Sequence, residues 1–179
     1  MAAGDHIAAG GRQSRLSAPV GGVEMSEPGL RRATAEDADE LTALARAAYA
    51  RHVPVIGREP MPMTADWGRL LSEQEIWIVD GPAGEAVASL ALDVQADHVM
   101  IWSVAVAPAH QQRGFGRRLM TFAEARARDL QRTELRLFTN ARMEGNVALY
   151  GRLGYSETLR EQLPDRVLVH MSKPVDASG

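Results

Sequence analysis

The stretch Val104-Ala105-Val106-Ala107-Pro108-Ala109-His110-Gln111-Gln112-Arg113-Gly114-Phe115-Gly116-Arg117-Arg118-Leu119 decides how this chain is read. An apolar run ending at Pro108 is a closing strand, a glycine-bearing loop follows, and a helix opens near Gly116. Glycine lets a backbone approach a ligand closely, and free N–H groups at a helix N-terminus form an anion site. Arg113, Arg117 and Arg118 add positive charge at the same place. The pattern suits a ligand bearing a di- or polyphosphate. It equally suits a tight strand-to-helix turn with solvated arginines, and the stretch alone leaves both open. A dinucleotide fingerprint is excluded because its third glycine would fall at Leu119, and a Walker loop because the stretch has no lysine.

Working outward, residues 98–106 are apolar almost throughout, which predicts a strand covered on both faces. Leu119, Ala123, Ala127 and Leu130 carry a helical period over 116–130, Glu134 to Thr139 is a further strand, and Gly145 to Leu153 a short helix. Tyr155–Leu163 and Arg166–Met171 flank Pro164-Asp165 as a hairpin. Upstream, Thr34 and Asp37 form a helix-start signature, and Leu41, Leu44, Ala45, Ala48 and Tyr49 continue it as an amphipathic helix over 35–51. Pro54, Pro60 and Pro62 make 53–63 a loop, and Thr64 caps a second helix to Ser72. Glu75–Asp80 and Ala86–Val94 form another hairpin, the latter with Ala88, Leu90 and Leu92 on one face. The strand-helix-strand unit over 98–139 is a parallel crossover. The fold class is α+β: a mixed sheet of six to seven strands around one central parallel pair, with about four helices.

The 179 residues suit one domain with some chain left over. Hydrophobic residues are 45% and charged residues 24%, a globular balance rather than a disordered one. Twenty basic against 23 acidic side chains, a net charge of −3, argue against a protein that coats nucleic acid or an anionic membrane. The absence of cysteine excludes disulfides, zinc-thiolate sites and thiol nucleophiles, and the five histidines show no ligand spacing, so no metal is expected. Residues 1–28, rich in Ala, Gly and Ser, read as a flexible leader or as an extension upstream of Met25; Arg12 and Arg15 among serines are a faint transit signal. The folded domain is expected over 29–173, with a short polar tail at 174–179. No apolar run reaches the length of a bilayer span and no secretory signal is present, which points to the cytoplasm.

A second stretch, Asn146-Val147-Ala148-Leu149-Tyr150-Gly151-Arg152-Leu153-Gly154-Tyr155, lies roughly 30 residues beyond the first. Gln111-x-x-Gly114-x-Gly116 after Val-Ala-Val-x-Pro resembles the acyl-CoA loop of the GCN5-related N-acetyltransferase (GNAT) superfamily, and the second stretch resembles that family's other signature. The element order agrees, and the resemblance spans about residues 29–172.

The resemblance implies a parallel pair that splays to admit the pantetheine arm of acetyl-CoA. It assigns cofactor contacts to Val104, Ala105, Val106, Gln111, Gln112, Arg113, Gly114, Phe115, Gly116, Arg117 and Asn146. Val104 and Val106 act through their backbone, and the N–H groups of Gln112 through Arg117 hold the pyrophosphate. Asn146 bonds near the pantetheine or caps a helix. Tyr150 is the implied general acid, protonating the departing thiolate, or else an ordinary packed aromatic.

The general base is open. Trp102 stands where many members carry a glutamate, so the proton goes to a water chain, to Glu59 or Asp93, or the acceptor has a lowered pKa. His52 follows the first helix and can face the acceptor; His110 is read as packing. The implied reaction moves an acetyl group to a primary amine by direct attack in a ternary complex. The acceptor is a small molecule or an N-terminal amine, because no acidic run exists to receive a basic peptide. A non-catalytic acyl-CoA sensor is the competing reading, and a homodimer is a family expectation only.

Overall fold

The computed structural model describes residues 29–176. The expected leader, 1–28, lies outside them, as do the last three residues of the chain. The elements run β1 (Leu30–Arg32), α1 (Ala38–Tyr49), α2 (Val53–Ile56), α3 (Met61–Thr64), α4 (Trp67–Glu73), β2 (Glu75–Asp80), β3 (Ala86–Val94) and β4 (Val99–Val106). They continue with α5 (Phe115–Asp129), β5 (Glu134–Asn140), α6 (Glu144–Arg152), β6 (Ser156–Leu163) and β7 (Arg166–Pro174). One seven-stranded sheet has the order β1-β2-β3-β4-β5-β7-β6, antiparallel except for the central β4–β5 pair. This is the expected α+β class.

Helices cover both faces of the sheet. On one, Leu41, Leu44 and Ala45 of α1 pack with Trp67, Ile76, Ile78 and Ala91. On the other, Leu119, Ala123 and Ala127 of α5 pack with Leu90, Leu92, Val99, Leu135 and Val169. Strand β3 sits between them and is buried on both sides down to Leu92, so Val87, Ser89 and Ala91 are as hidden as Ala88, Leu90 and Leu92. From Ala88 on, alternation there distinguishes two cores rather than core from solvent, with Leu90 and Leu92 in the α5 core and Ala91 in the α1 core. Burying a side chain such as Leu90 stabilises by about 1.5–3 kcal/mol.

Strand β4 departs from its expected cover on both faces: its residues alternate buried and half-buried, and from Ile101 onward all but Ala105 line a cavity. The register with β3 slips between Ala91↔Ser103 and Leu92↔Ile101, leaving Trp102 as an extra residue. This bulge exchanges the faces. Before it, Val99 and Ile101 join the α5 core; after it, Ala105 joins the α1 core.

The expected loop at 53–63 instead contains two single-turn helices. Pro54 and Pro62 fall in their first turns, where the missing N–H has no intrahelical partner to lose. Thr64 ends α3, and the N-cap of α4 is Asp66, whose carboxylate accepts the Arg69 N–H at 3.0 Å. At the C-terminus β7 extends to Pro174 and Val175 is buried, its N–H bonded to the Thr133 carbonyl at 2.8 Å. Folded structure therefore passes the expected boundary at 173.

The entry to α1 is fixed by charge. The buried Asp37 carboxylate accepts the Thr34 N–H at 2.7 Å and two hydrogen bonds from Arg31 at 2.7 and 2.9 Å, while Arg31 also binds Asp80 at 2.8 Å. Thus β1, the start of α1 and the end of β2 meet at one guanidinium. Arg31 and the Thr34 N–H hold Asp37 well below the usual carboxylate range. Its contribution is complete above the unfolded pKa of about 3.9 and is lost as the pH falls below that toward the lower folded value. Asp37→Asn should cost about 1–2 kcal/mol at neutral pH by urea titration and flatten the loss of stability below about pH 4. An unchanged midpoint would remove this junction from the account of stability.

Candidate active site

Strands β4 and β5 pair only at Val99↔Leu135, Met100↔Arg136 and Ile101↔Leu137, although β4 runs on to Val106 and β5 to Asn140. Beyond Ile101 the two part, and a cavity of about 420 Å³ occupies the divergence. Its walls include Trp102, Ser103, Val104 and Val106 of β4, Phe138, Thr139 and Asn140 of β5, and the N-terminal turn of α5.

Backbone direction on β4 follows from a single bond. The Ala107 N–H donates to the Val87 carbonyl of β3, so by the strand's period of two the amide groups of Val104 and Val106 point toward the parted side. Both carbonyls there have partners. Val104 accepts from the Tyr49 hydroxyl at 2.9 Å, and Val106 accepts from Nε2 of Gln111 at 3.1 Å. Tyr49 also contacts the Ser103 hydroxyl at 3.1 Å, and Oε1 of Gln111 accepts from Arg51 at 2.7 Å. Ala105 points its side chain into the α1 core and does not line the cavity.

The loop into α5 holds two residues in the left-handed region, Gln112 at φ 63° and Gly114 at φ 87°. Gly114 is the N-cap, and the first helical bond runs from Arg118 N–H to the Gly114 carbonyl at 3.0 Å. The N–H groups of Phe115, Gly116 and Arg117 therefore precede the helical ladder, at the positive end of a 15-residue helix. Gln111, Gln112, Phe115, Gly116 and Arg117 line the cavity; Arg113 and Gly114 are exposed on the loop outside it. A Cβ added at Gly116 would meet nothing within 4 Å.

On α6, Met143 is the N-cap, so Asn146 lies inside the first turn and is not the cap. Its side chain lines the cavity without a protein hydrogen-bond partner. Tyr150, one turn on, packs edge-on against the buried Tyr155 with ring centroids 6.0 Å apart and also lines the cavity. Its hydroxyl has no protein partner, and burial, with the Tyr49 phenol adding, pushes its pKa well above 10.

Of the proposed proton acceptors, Asp93 pairs with Met100 near the end of β3 and does not reach the cavity. Glu59 lines the cavity from an exposed position. His52 lines it too, its ring 6.2 Å from that of Tyr49. Burial and the Arg51 charge lower its pKa, which favours the neutral imidazole. Trp102 stands edge-on to Trp67, centroids 5.8 Å apart, and forms an apolar wall. His110 packs against Phe115, while His98 and His170 pair with Asp97 and Glu161 away from the cavity. Among the described residues no group of three or more His, Asp or Glu could hold a metal, and no helix is long and apolar enough to cross a membrane.

Tyr49, Ser103 and Met143 are cavity residues that sequence reasoning missed. Tyr49 carried only the signal of a helix's apolar face, and its polar tip has no signature of its own.

The parted strand pair and the α5 N-terminus that faces it are features of the fold, and known proteins share that fold. The acetyltransferase (GNAT) family model matches residues 38–155, and the chain belongs to that family. The ribosomal-protein-S18-alanine N-acetyltransferase of Escherichia coli shares the fold at a TM-score of 0.69 and 18% identity, over 84% of this chain and 95% of that one. The PaiA N-acetyltransferase of Thermoplasma acidophilum, solved with coenzyme A, superposes at 0.65 with 16% identity, over 81% and 97%. A GCN5-related N-acetyltransferase from Rhodopseudomonas palustris gives 0.69 with 21% identity, over 86% and 99%.

The geometry at Gly116 separates binding from folding. Gly116→Val fills open space on the cavity wall, so the melting temperature should stay within a few degrees while acetyl-CoA affinity falls at least tenfold by calorimetry. Undiminished affinity would place the cofactor elsewhere.

Proposed function

We propose that this chain transfers an acetyl group from acetyl-CoA to a primary amine by direct attack in a ternary complex. The observation that carries the reading is the convergence of a parted β4–β5 pair, an open α5 N-terminus and an unpartnered Tyr150 hydroxyl on one cavity. Residues 29–175 form the working domain, and action in the cytoplasm is part of the proposal. Nucleic acid and membrane have no part in it, and neither does a metal; a homodimer remains a family expectation.

The residues fit acetyl-CoA. The parted edge of Val104-Ala105-Val106 receives an extended, amide-bearing arm, and Asn146 offers it a free carboxamide. Gln111 holds the Val106 carbonyl and braces the loop, while the N–H groups from Gln112 through Arg117, with Gly114 setting the turn, receive the diphosphate. Acetyl-CoA supplies an activated thioester. The amine nitrogen bonds to the acetyl carbon as the carbon–sulfur bond breaks; the Tyr150 hydroxyl gives its proton to the sulfur, and the proton shed by the acylated nitrogen restores the phenol. With its pKa raised, Tyr150 keeps that proton throughout the neutral range.

The incoming amine must first lose a proton. For an alkylammonium near 10.4 at pH 7 this costs about 4–5 kcal/mol. Neutral His52 and the Glu59 carboxylate are the cavity groups able to accept it. The sensor reading draws on Trp102, which puts an apolar wall where a proton acceptor would otherwise stand.

A thiol-release assay with acetyl-CoA against a panel of amines, amino acids and N-terminal peptides decides between them. Release with one acceptor class supports transfer; binding of acetyl-CoA without release from any acceptor supports the sensor. Tyr150→Phe should lower kcat at least tenfold with acetyl-CoA affinity unchanged. Because the Tyr150 pKa is raised, activity should climb from pH 6 to 9 as the amine deprotonates. A falling limb in that range that disappears in Tyr150→Phe would show the phenol losing its proton there and contradict its raised pKa.

A further inference from the structure

We infer that the far end of the cavity is a carboxylate site, so that the acceptor is an amine with an apolar body and a carboxylate; this rests on the transferase reading above. Two segments distant in sequence meet there, the connection between α2 and α3 and the turn between β6 and β7. Arg58 from the first binds Asp165 from the second through Nη1. Arg166 places its own Nη1 2.8 and 3.0 Å from the two oxygens of the same carboxylate. Both guanidiniums line the cavity, whereas Asp165 does not.

One carboxylate shared by two guanidiniums leaves one positive charge uncompensated. Each arginine spends only Nη1 on Asp165, so Nε and Nη2 of both have no protein partner. The Arg166 side chain is 24% exposed and its free donors are not fully buried, so they are open to an incoming acceptor. A planar fork of N–H groups matches a carboxylate in shape, and a single negative charge completes the balance.

Of the other cavity arginines, Arg51 donates to Gln111 of the loop before α5, and Arg117 lies in the first turn of α5. Arg142 adds further positive charge, reaching the Ile56 carbonyl at 3.4 Å. Glu59 is the one acidic residue on the wall, and it is exposed. A polyamine or basic peptide therefore meets like charge here. The apolar part of the cavity wall includes Ile56, Met61, Pro62, Trp102, Met143 and Leu168. It suits a hydrocarbon or thioether body.

The test compares L-methionine with L-methioninamide and 3-(methylthio)propylamine, and 6-aminohexanoate with hexylamine. Binding to the CoA-loaded full-length protein is measured by calorimetry, and acetylation with acetyl-CoA by thiol release. At least one carboxylate-bearing member should bind at least tenfold more tightly than its uncharged-end counterparts and show a correspondingly higher kcat/KM. Arg166→Gln and, on a separate element, Arg58→Gln should each erase that preference through KM, with acetyl-CoA affinity unchanged. Equal binding across both series, or a preference for an aminoalkyl phosphate over every carboxylate, would overturn the inference. Selective binding without acetyl transfer would overturn the transferase reading and leave the carboxylate site standing.

Discussion

The parting of β4 from β5 after three paired residues is the constraint on which the rest of this molecule depends. A strand edge in the middle of a sheet cannot be left bare, because buried N–H and C=O groups without partners cost about 1–3 kcal/mol each. The fold meets that demand partly from within, through the Tyr49 hydroxyl on the Val104 carbonyl and the Gln111 amide on the Val106 carbonyl. The remaining edge suits a ligand with a peptide-like arm. The Trp102 bulge accompanies the divergence by turning β4 over, so that residues on either side of it serve different cores.

The surroundings hold this opening in shape. Helix α1 is anchored at its start by the Asp37–Arg31–Asp80 cluster and at its end by the bond from Tyr49 to β4. Helix α5 is fixed by Leu119, Ala123 and Ala127 in the core, which holds its N-terminus at the mouth of the gap. Strand β5 is fully paired with β7 over Glu134–Asn140, so it has no freedom to close back onto β4. The opening is therefore a property of the scaffold, and it brings a helix terminus, an amide edge and a phenol onto one line.

The acceptor end obeys a different logic. It is assembled from the α2–α3 connection and the β6–β7 turn, which touch through the shared carboxylate of Asp165. Neither segment belongs to the two sequence signatures at 104–119 and 146–155. In the proposed reaction, the same cofactor site can serve different amines as these turns change, since their charges and apolar surfaces set what is admitted.

Sequence by itself determined the class of fold, the order of the strands along the chain, and the loop and helix start that line one part of the cavity. Those features are written in local terms: hydrophobic period, proline and glycine placement, and a loop whose left-handed residues and following helix are contiguous. Even Pro54 and Pro62 misled only about single-turn helices, because proline forbids continuing a helix but not starting one. Tertiary structure alone decided that both faces of β3 are buried, that Trp102 is the bulged residue, that Asp93 lies away from the cavity while His52 lines it, and that Arg58 and Arg166 share Asp165. The physical reason is range. A period or a cap is an interaction between near neighbours in the chain, whereas Arg58 and Asp165 are 107 residues apart and acquire a relation only when the sheet brings their turns together.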